Sequence, residues 1–233
     1  MRSVIVEAPA ELREERNAPE RRPAAAGVAT APAPHDVAAH LEWRSSVPVL
    51  RGALTTLREL RTEDAPLLLE LLSADDVARF ISPPPATLPG FERFITWARE
   101  QRVAGAHVGY AILDVNTEAP IGLIQVRRLD ATFEVGEWGF ALGSPYWGSG
   151  LFMDAAHQTL RFVFDTLGVH RLEARAVVEN SRGNGALAKL GAVQEAVLPR
   201  SILRNGRYLD QALWTIRRRD WIRSRRASAF SVH

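Results

Sequence analysis

Apolar and polar residues recur along the chain with two periods, and the period separates predicted strands from predicted helices. A period near two is typical of strands and a period near 3.6 is typical of helices. The predicted strands are 53–60, 107–114, 120–129, 133–142, 170–178, 192–203 and 207–216. The predicted helices are 65–72, a short helix from Ser73 or Asp75, 89–103, 150–167 and 182–190. This order predicts an α/β (α+β) fold with a mixed, mostly antiparallel central sheet flanked by helices.

Local signals mark where several of these elements end. Residues 62–64 (TED) offer a cap and an acidic first turn to the helix that follows. The prolines at 83–85 end the short helix, because proline cannot continue the hydrogen-bonding pattern. Gly168 ends the long helix that starts at Gly150. The pair at 205–206 (NG) predicts a hairpin turn between the last two strands.

The chain divides into three parts by composition. Residues 1–50 are rich in Ala, Pro and Arg and are predicted to be a flexible extension. Within them, 36–43 could form a short helix that docks on the main body through Leu41 and Trp43. The folded domain is predicted over 51–222. Residues 223–233 are a basic tail, which is either a solvated end or a docking segment for ribosomal RNA or an acidic protein surface.

Composition and charge restrict the class of protein. The chain has 46% apolar and 24% charged residues, which is ordinary for a globular protein, and no apolar run is long enough to span a membrane. The N-terminus has no apolar segment typical of a secretory signal, so we expect a cytoplasmic protein. A formal net charge of +2 argues against dedicated nucleic-acid binding.

Missing residue types exclude several kinds of chemistry. The sequence has no cysteine, which excludes disulfides, thiolate metal sites and a cysteine nucleophile. Its six histidines form no i, i+4 pair, so no metal site is predicted. Only one of the 29 basic residues, Lys189, is a lysine, so a role that needs a side-chain ammonium falls on it.

The segment 142–150 (LGSPYWGSG) joins a predicted strand to the long helix and carries the strongest chemical signal. Its glycines allow close approach of the backbone, and free amides at the helix N-terminus attract an anion such as a diphosphate. A dinucleotide-binding GxGxxG pattern would need glycine at Met153, and the GK[ST] of a P-loop is absent. A glycine turn that only packs the start of the helix remains the alternative.

Five segments together resemble the GNAT superfamily of N-acetyltransferases, and within it the RimJ/RimL-type branch. Residues 137–142 (EWGFAL) and 146–155 (YWGSGLFMDA) resemble that branch's strand and diphosphate loop, whose pattern is Q/R-x-x-G-x-G/A. The other matches are 57–65, 169–192 (VHRLEA to AKLGA) and 205–210 (NGRYLD), so the resemblance covers about 52–221. It implies a GNAT-like fold and an acetyl-CoA-dependent N-acetyltransferase.

The resemblance also implies the reaction and its site. The acetyl group would pass to a primary amine by direct attack in a ternary complex, and the acceptor is either a protein N-terminus or a small molecule. Glu137 takes the role of general base, with Glu134 as the other candidate; alternatively, Glu137 only hydrogen-bonds a neighbouring strand or loop. The residues expected to bind acetyl-CoA are Phe140, Ala141, Leu142, Trp147, Gly148, Ser149, Gly150, Leu151, Asn180 and Lys189.

Several positions depart from the family pattern or have a structural alternative. Pro145 stands where the loop usually has Gln, Arg or Glu, and Gly183 replaces a serine. Leu187 stands where many members have a tyrosine general acid, so that role is not assigned. Asn180 could cap the following helix, and Lys189 could be a solvated helix lysine.

A second class of function is compatible with these departures. The chain could be a catalytically silent acyl-CoA-binding or interaction module, and a homodimer is compatible with either class. Neither class involves a membrane or a metal.

Overall fold

A computed structural model describes residues 39–82, 84–204 and 206–230, and the side chains of 42–225 within these ranges. Most of the predicted flexible extension and the end of the basic tail lie outside the described residues, as does Asn205 of the predicted hairpin turn. The division at residues 50 and 222 stays a prediction.

Within the described ranges, eight strands and seven α-helices follow one another in nearly the predicted order. The strands are β1 (Leu50–Arg51), β2 (Thr55–Glu59), β3 (His107–Asp114), β4 (Pro120–Arg128), β5 (Val135–Leu142), β6 (Arg171–Val177), β7 (Val193–Arg204) and β8 (Arg207–Arg217). The helices are α1 (Ala39–Ser45), α2 (Ala65–Ser73), α3 (Asp75–Ala78), α4 (Leu88–Val103), α5 (Leu151–Arg161), α6 (Ser181–Lys189) and α7 (Arg218–Phe230).

The strands form a single sheet in the order β1-β2-β3-β4-β5-β6-β8-β7. All neighbouring strands are antiparallel except β5 and β6, which are parallel. A parallel pair needs a long crossover, and α5 supplies it. The predicted mixed, mostly antiparallel sheet flanked by helices is therefore confirmed.

Helices cover both faces of the sheet. Successive residues of a strand point to opposite faces, so one strand contributes side chains to both apolar layers. Trp138 of β5 points into the core shared with α5, together with Leu160. Ala141 of the same strand points to the opposite core, where Leu68 of α2 and Phe94 of α4 are buried. The sheet thus holds β5 between two apolar layers.

Helix α1 packs on this body, which the sequence left open. Trp43 is buried and its ring lies 6.0 Å from that of Phe133 in an edge-on contact. Val47 is buried in the same core, and the Tyr110 hydroxyl donates to the Pro48 carbonyl at 3.2 Å. The segment before β2 therefore contributes to the hydrophobic core.

The long helix predicted over 150–167 changes its pitch near its end. After α5 the chain forms a π-helical turn over Phe162–Thr166, with the Leu167 N–H donating to the Phe162 carbonyl. Phe162, Val163 and Phe164 are all buried. Three consecutive buried side chains do not fit the narrow apolar stripe of a regular α-helix, and the wider turn directs all three into the core.

The sequence pattern did not predict helix α7. The segment is strongly basic, with Arg219 and Arg223 exposed, so its apolar periodicity is weak. Trp221 is buried and lies beside the rings of Phe164 and His157, 6.1 Å away in each case. These ring contacts anchor the helix to the body.

Residue His107 makes stability depend on pH. It is fully buried, with Nε2 3.1 Å from Gln125 Oε1, and burial lowers its pKa from 6.5 to about 4. Below pH 6.5 this histidine is protonated in the unfolded chain, whereas in the folded chain it stays neutral down to about pH 4. We expect the free energy of unfolding to fall by about 3 kcal/mol across that window.

Urea titrations at several pH values between 7.5 and 4 measure this loss. His107→Gln removes the titrating group and retains an amide that can bond Gln125, so its stability should change much less with pH. An equal pH slope in the parent and the variant would contradict the assignment to His107.

Candidate functional site

The parallel strands β5 and β6 pair only at one end. Their register runs from Val135 opposite Arg171 to Glu137 opposite Glu173, and it stops there. Both strands continue, to Leu142 and Val177, without pairing to each other. A gap therefore opens between two neighbouring strands of the sheet, and backbone polar groups of β5 beyond Glu137 face it.

A glycine loop closes one end of this gap. After β5 the chain makes a 3-10 turn over Ser144–Tyr146 and enters α5 through Gly148 and Gly150, whose φ angles are +77° and +86°. L-residues with a side chain rarely adopt such angles, so both positions require glycine. A Cβ on Gly148 would meet no atom within 4 Å. The loop therefore presents bare backbone to open space.

Two side chains of the loop hold its shape from within. The Trp147 indole Nε1 donates to the Leu142 carbonyl at 2.8 Å, and the Ser149 hydroxyl donates to the Tyr146 carbonyl at 2.6 Å. The first amides of α5 have no partner inside the helix and carry its positive dipole end. This end of the gap is thus built to bind an anion.

A cavity of about 670 Å³ extends from the loop along the gap. It is lined by residues of α3 and the loop after it, β5, the glycine loop, the first turn of α5, and α6 with the residue before it. Most of the predicted cofactor residues lie on its wall, namely Phe140, Ala141, Leu142, Trp147, Gly148, Gly150, Asn180 and Lys189. Ser149 and Leu151 are not on the wall; Leu151 is buried in the core instead.

Residue Asn180 caps α6 and also lies on the cavity wall, and its role in cofactor binding stays a prediction. Its Oδ1 accepts the Gly183 N–H at 2.9 Å and so caps α6. It also lines the cavity. A Cβ on Gly183 would lie 2.6 Å from Asn180 Nδ2, so the glycine that departs from the family pattern makes room for the cap.

Residue Glu137 lies at the point where the two strands part. It is buried, its Oε2 accepts from Arg127 Nε at 2.9 Å, and Arg175 lies 3.8 Å from Oε1. Oε1 itself accepts no hydrogen bond from the described residues. Glu137 does not line the cavity, and its role as a base stays a prediction. Glu134 precedes β5 and does not line the cavity either.

The structure adds cavity residues that the sequence analysis did not identify. One group, Asp76, Arg79, Phe80 and Ile81, comes from α3 and the loop after it. Another is Arg182, in the first turn of α6. The side chain of Arg204 at the end of β7 donates to the Ile81 carbonyl. No local pattern marks these residues, because the fold brings them to the loop from distant parts of the chain.

A carboxylate on α5 ties the helix to the hairpin of β1 and β2. Asp154 accepts hydrogen bonds from the backbone N–H groups of Ala53, Leu54 and Thr55 at 2.9–3.2 Å, and from the Thr55 hydroxyl at 2.6 Å. Burial alone would raise the pKa of Asp154, but these hydrogen bonds outweigh it and lower the pKa. The network fixes the first turn of α5, which directly follows the glycine loop.

We expect Asp154→Asn to destabilise the fold by roughly 2 kcal/mol, because the amide cannot accept all of these hydrogen bonds. Thermal and urea unfolding measure the loss. Asp165→Asn is the matched control, since Asp165 forms an exposed ion pair with Arg225 and should change stability by less than about 0.5 kcal/mol. Equal losses in the two variants would show that the Asp154 network contributes no more than a surface pair.

The described residues contain no cluster of side chains able to hold a metal ion. No helix in the described ranges combines the length and the apolar character that a bilayer crossing demands.

Comparison with known proteins agrees with this geometry. Residues 55–193 match the family model described as the acetyltransferase (GNAT) domain. An uncharacterised N-acetyltransferase p20 of Bacillus licheniformis is 25% identical over 167 residues, which cover 71% of this chain and 94% of that protein. The ribosomal protein uS5-alanine N-acetyltransferase of Escherichia coli is 23% identical over 133 residues, 57% of this chain and 69% of that protein.

Solved structures share the fold. The ribosomal-protein-S5-alanine acetyltransferase of Vibrio fischeri superposes with a TM-score of 0.67 at 22% identity, covering 75% of this chain and 98% of that one. RimJ of Mycobacterium smegmatis, solved in complex with CoA-disulfide, gives 0.65 at 20% identity, covering 74% and 87%. The predicted fold, RimJ/RimL-type resemblance and acetyltransferase activity are confirmed: the chain belongs to the GNAT family of N-acetyltransferases.

Proposed function

We propose that this N-acetyltransferase binds acetyl-CoA along the gap between β5 and β6 and transfers the acetyl group to the α-amino group of a protein. One observation carries the proposal: the glycine loop at the N-terminus of α5 and the unpaired end of β5 line a single cavity. The loop suits a diphosphate, and the unpaired strand suits an extended, amide-containing arm. The GNAT family uses acetyl-CoA as its acetyl donor.

The backbone of β5 provides the polar contacts for transfer. Amides in the segment Phe140–Leu142 would hold the thioester carbonyl and stabilise the negative charge that develops on its oxygen when the amine attacks. The C–N bond forms first and gives a tetrahedral intermediate. Its collapse breaks the C–S bond, and the leaving thiolate takes up the second proton of the amine nitrogen. The chain has no cysteine, so an acetyl-cysteine intermediate is excluded and the amine attacks directly.

An amine must lose a proton before it attacks, and we assign its acceptance to Glu137. The free Oε1 lies at the parting of the strands, and a water can connect it to the gap. Arg127 and Arg175 fix the carboxylate from two sides. The alternative is that Glu137 is only a structural ion-pair partner of these arginines. The two roles predict different losses of turnover for Glu137→Gln.

The names of the relatives support a protein acceptor. Two of them are named as alanine acetyltransferases of ribosomal protein S5. A cytoplasmic location follows from such an acceptor, which agrees with the sequence-based expectation. A small-molecule amine is the alternative acceptor, and a homodimer stays a prediction.

A thiol-release assay with acetyl-CoA tests the proposal. The acceptor panel contains peptides that begin with different residues, the same peptides with blocked N-termini, and small amines such as a polyamine. We expect release only with free N-termini. Release with small amines alone would assign a small-molecule acceptor, and CoA binding without release from any acceptor would favour the silent module.

A further inference from the structure

The glycine loop has no cationic side chain of its own. Among residues 143–150, Pro145 lacks any side-chain donor, and the polar atoms of Trp147 and Ser149 already donate to carbonyl groups of the loop. Backbone amides and the helix dipole supply only partial positive charge. A diphosphate carries about two negative charges, so a full positive charge has to come from another part of the chain.

One guanidinium approaches the loop from the opposite wall of the cavity. Arg182, in the first turn of α6, has its Cζ 4.2 Å from the centroid of the Trp147 ring. Trp147 immediately precedes Gly148, and its indole is fixed by the bond to the Leu142 carbonyl. The ring therefore holds the Arg182 charge beside the amides that would receive the diphosphate.

The charge of Arg182 is not neutralised by a neighbour. No carboxylate of the described residues forms an ion pair with it. The one carboxylate on the described cavity wall, Asp76, comes from α3 and accepts the Val77 N–H. Arg182 thus keeps its full charge toward an incoming anion.

The other two cations of the cavity are less well placed. The Arg79 guanidinium packs on the Phe80 ring, 5.1 Å from its centroid. Lys189 lies seven residues after Arg182 on α6, about 10 Å further along the helix axis. Of the three, only Arg182 has a contact with the glycine loop.

We propose that Arg182 binds the diphosphate of the cofactor from the α6 side, so that the anion is held between the amides of the α5 N-terminus and one guanidinium. The inference rests on the proposed function, because it requires CoA in this cavity. It adds a binding residue from a different element than the glycine loop and explains how a loop without a cation can hold a doubly charged group.

Ligands that differ in their phosphates test it. We would measure the affinity of the parent, Arg182→Ala and Arg99→Ala for CoA and 3′-dephospho-CoA by calorimetry, and for pantetheine by competition. Arg99 is an exposed arginine on α4 outside the cavity, so its variant has the same net charge as Arg182→Ala. CoA and dephospho-CoA both carry the diphosphate, whereas pantetheine carries no phosphate.

The expected result is a roughly tenfold or greater loss with Arg182→Ala for CoA and dephospho-CoA alike, a change below about twofold for pantetheine, and no loss with Arg99→Ala. A loss for CoA alone would assign Arg182 to the 3′-phosphate and overturn the proposal. An equal loss for pantetheine would show that Arg182 acts only through packing. No loss for any ligand would show that Arg182 is a solvated arginine with no part in binding. Either result would overturn the proposal. A parent that does not bind CoA overturns the proposed function itself, which is a separate outcome.

Discussion

Gly150→Asp should reduce acetyl-CoA affinity by at least 100-fold, which corresponds to about 2.7 kcal/mol. Two causes act together. The φ angle of Gly150 is +86°, so a side chain distorts the loop, and the new carboxylate repels a diphosphate at the N-terminus of α5. A Cβ at this position would meet only Leu54 at 3.5 Å, an ordinary contact, so the domain should still fold.

Gly206→Asp is the matched control for this substitution. Gly206 also has a positive φ, +76°, and a Cβ there would meet no atom within 4 Å, but the residue does not line the cavity. Calorimetry compares the two variants with the parent, and circular dichroism verifies that both are folded. Equal affinity in the parent and the folded Gly150→Asp variant would show that the cofactor does not use this loop.

Glu137→Gln should lower turnover by roughly 100-fold or more, while acetyl-CoA affinity changes only a few-fold. The amide cannot accept the proton from the attacking amine, so the transfer step should slow. The substitution removes a buried partner of Arg127 and Arg175, which costs about 3 kcal/mol of stability. Turnover must therefore be measured at a temperature where the variant is fully folded.

Glu173→Gln separates catalysis from ion pairing. Glu173 is the cross-strand neighbour of Glu137, and its carboxylate pairs with Arg171 at 2.8 Å and lies 4.0 Å from Arg175. It shares the electrostatic surroundings but has no assigned role in proton transfer, so its variant should retain most of the turnover. Equal losses of turnover in the two variants would make Glu137 a structural residue.

The sequence by itself predicted most of the elements and the loop that carries the chemistry. Strand and helix periods depend on neighbouring residues, so β3 and the helix that begins at Leu88 follow directly from local patterns. The same is true of the loop before α5, because a positive φ at Gly148 and Gly150 is a local requirement that only glycine meets without strain.

Local sequence patterns did not predict the elements that depend on contacts with residues distant in the chain. The buried run 162–164 reads as part of a regular helix, but its packing against the sheet imposes a π-helical turn. Helix α7 has a strongly basic sequence, and Trp221 fixes it only because α5 and the π turn provide a surface for the ring. Neither contact can be read from residues near in sequence.

The candidate site divides in the same way. The glycine loop is contiguous in the chain, so the sequence could predict it as an anion site, and the resemblance implied its ligand. The parting of β5 and β6, the wall from α3 and the guanidinium of Arg182 over Trp147 exist only once the strands are paired and the helices docked. Sequence therefore determined the local chemistry of the glycine loop, and the tertiary structure decided which charges surround it, since electrostatic partners are set by distance in space.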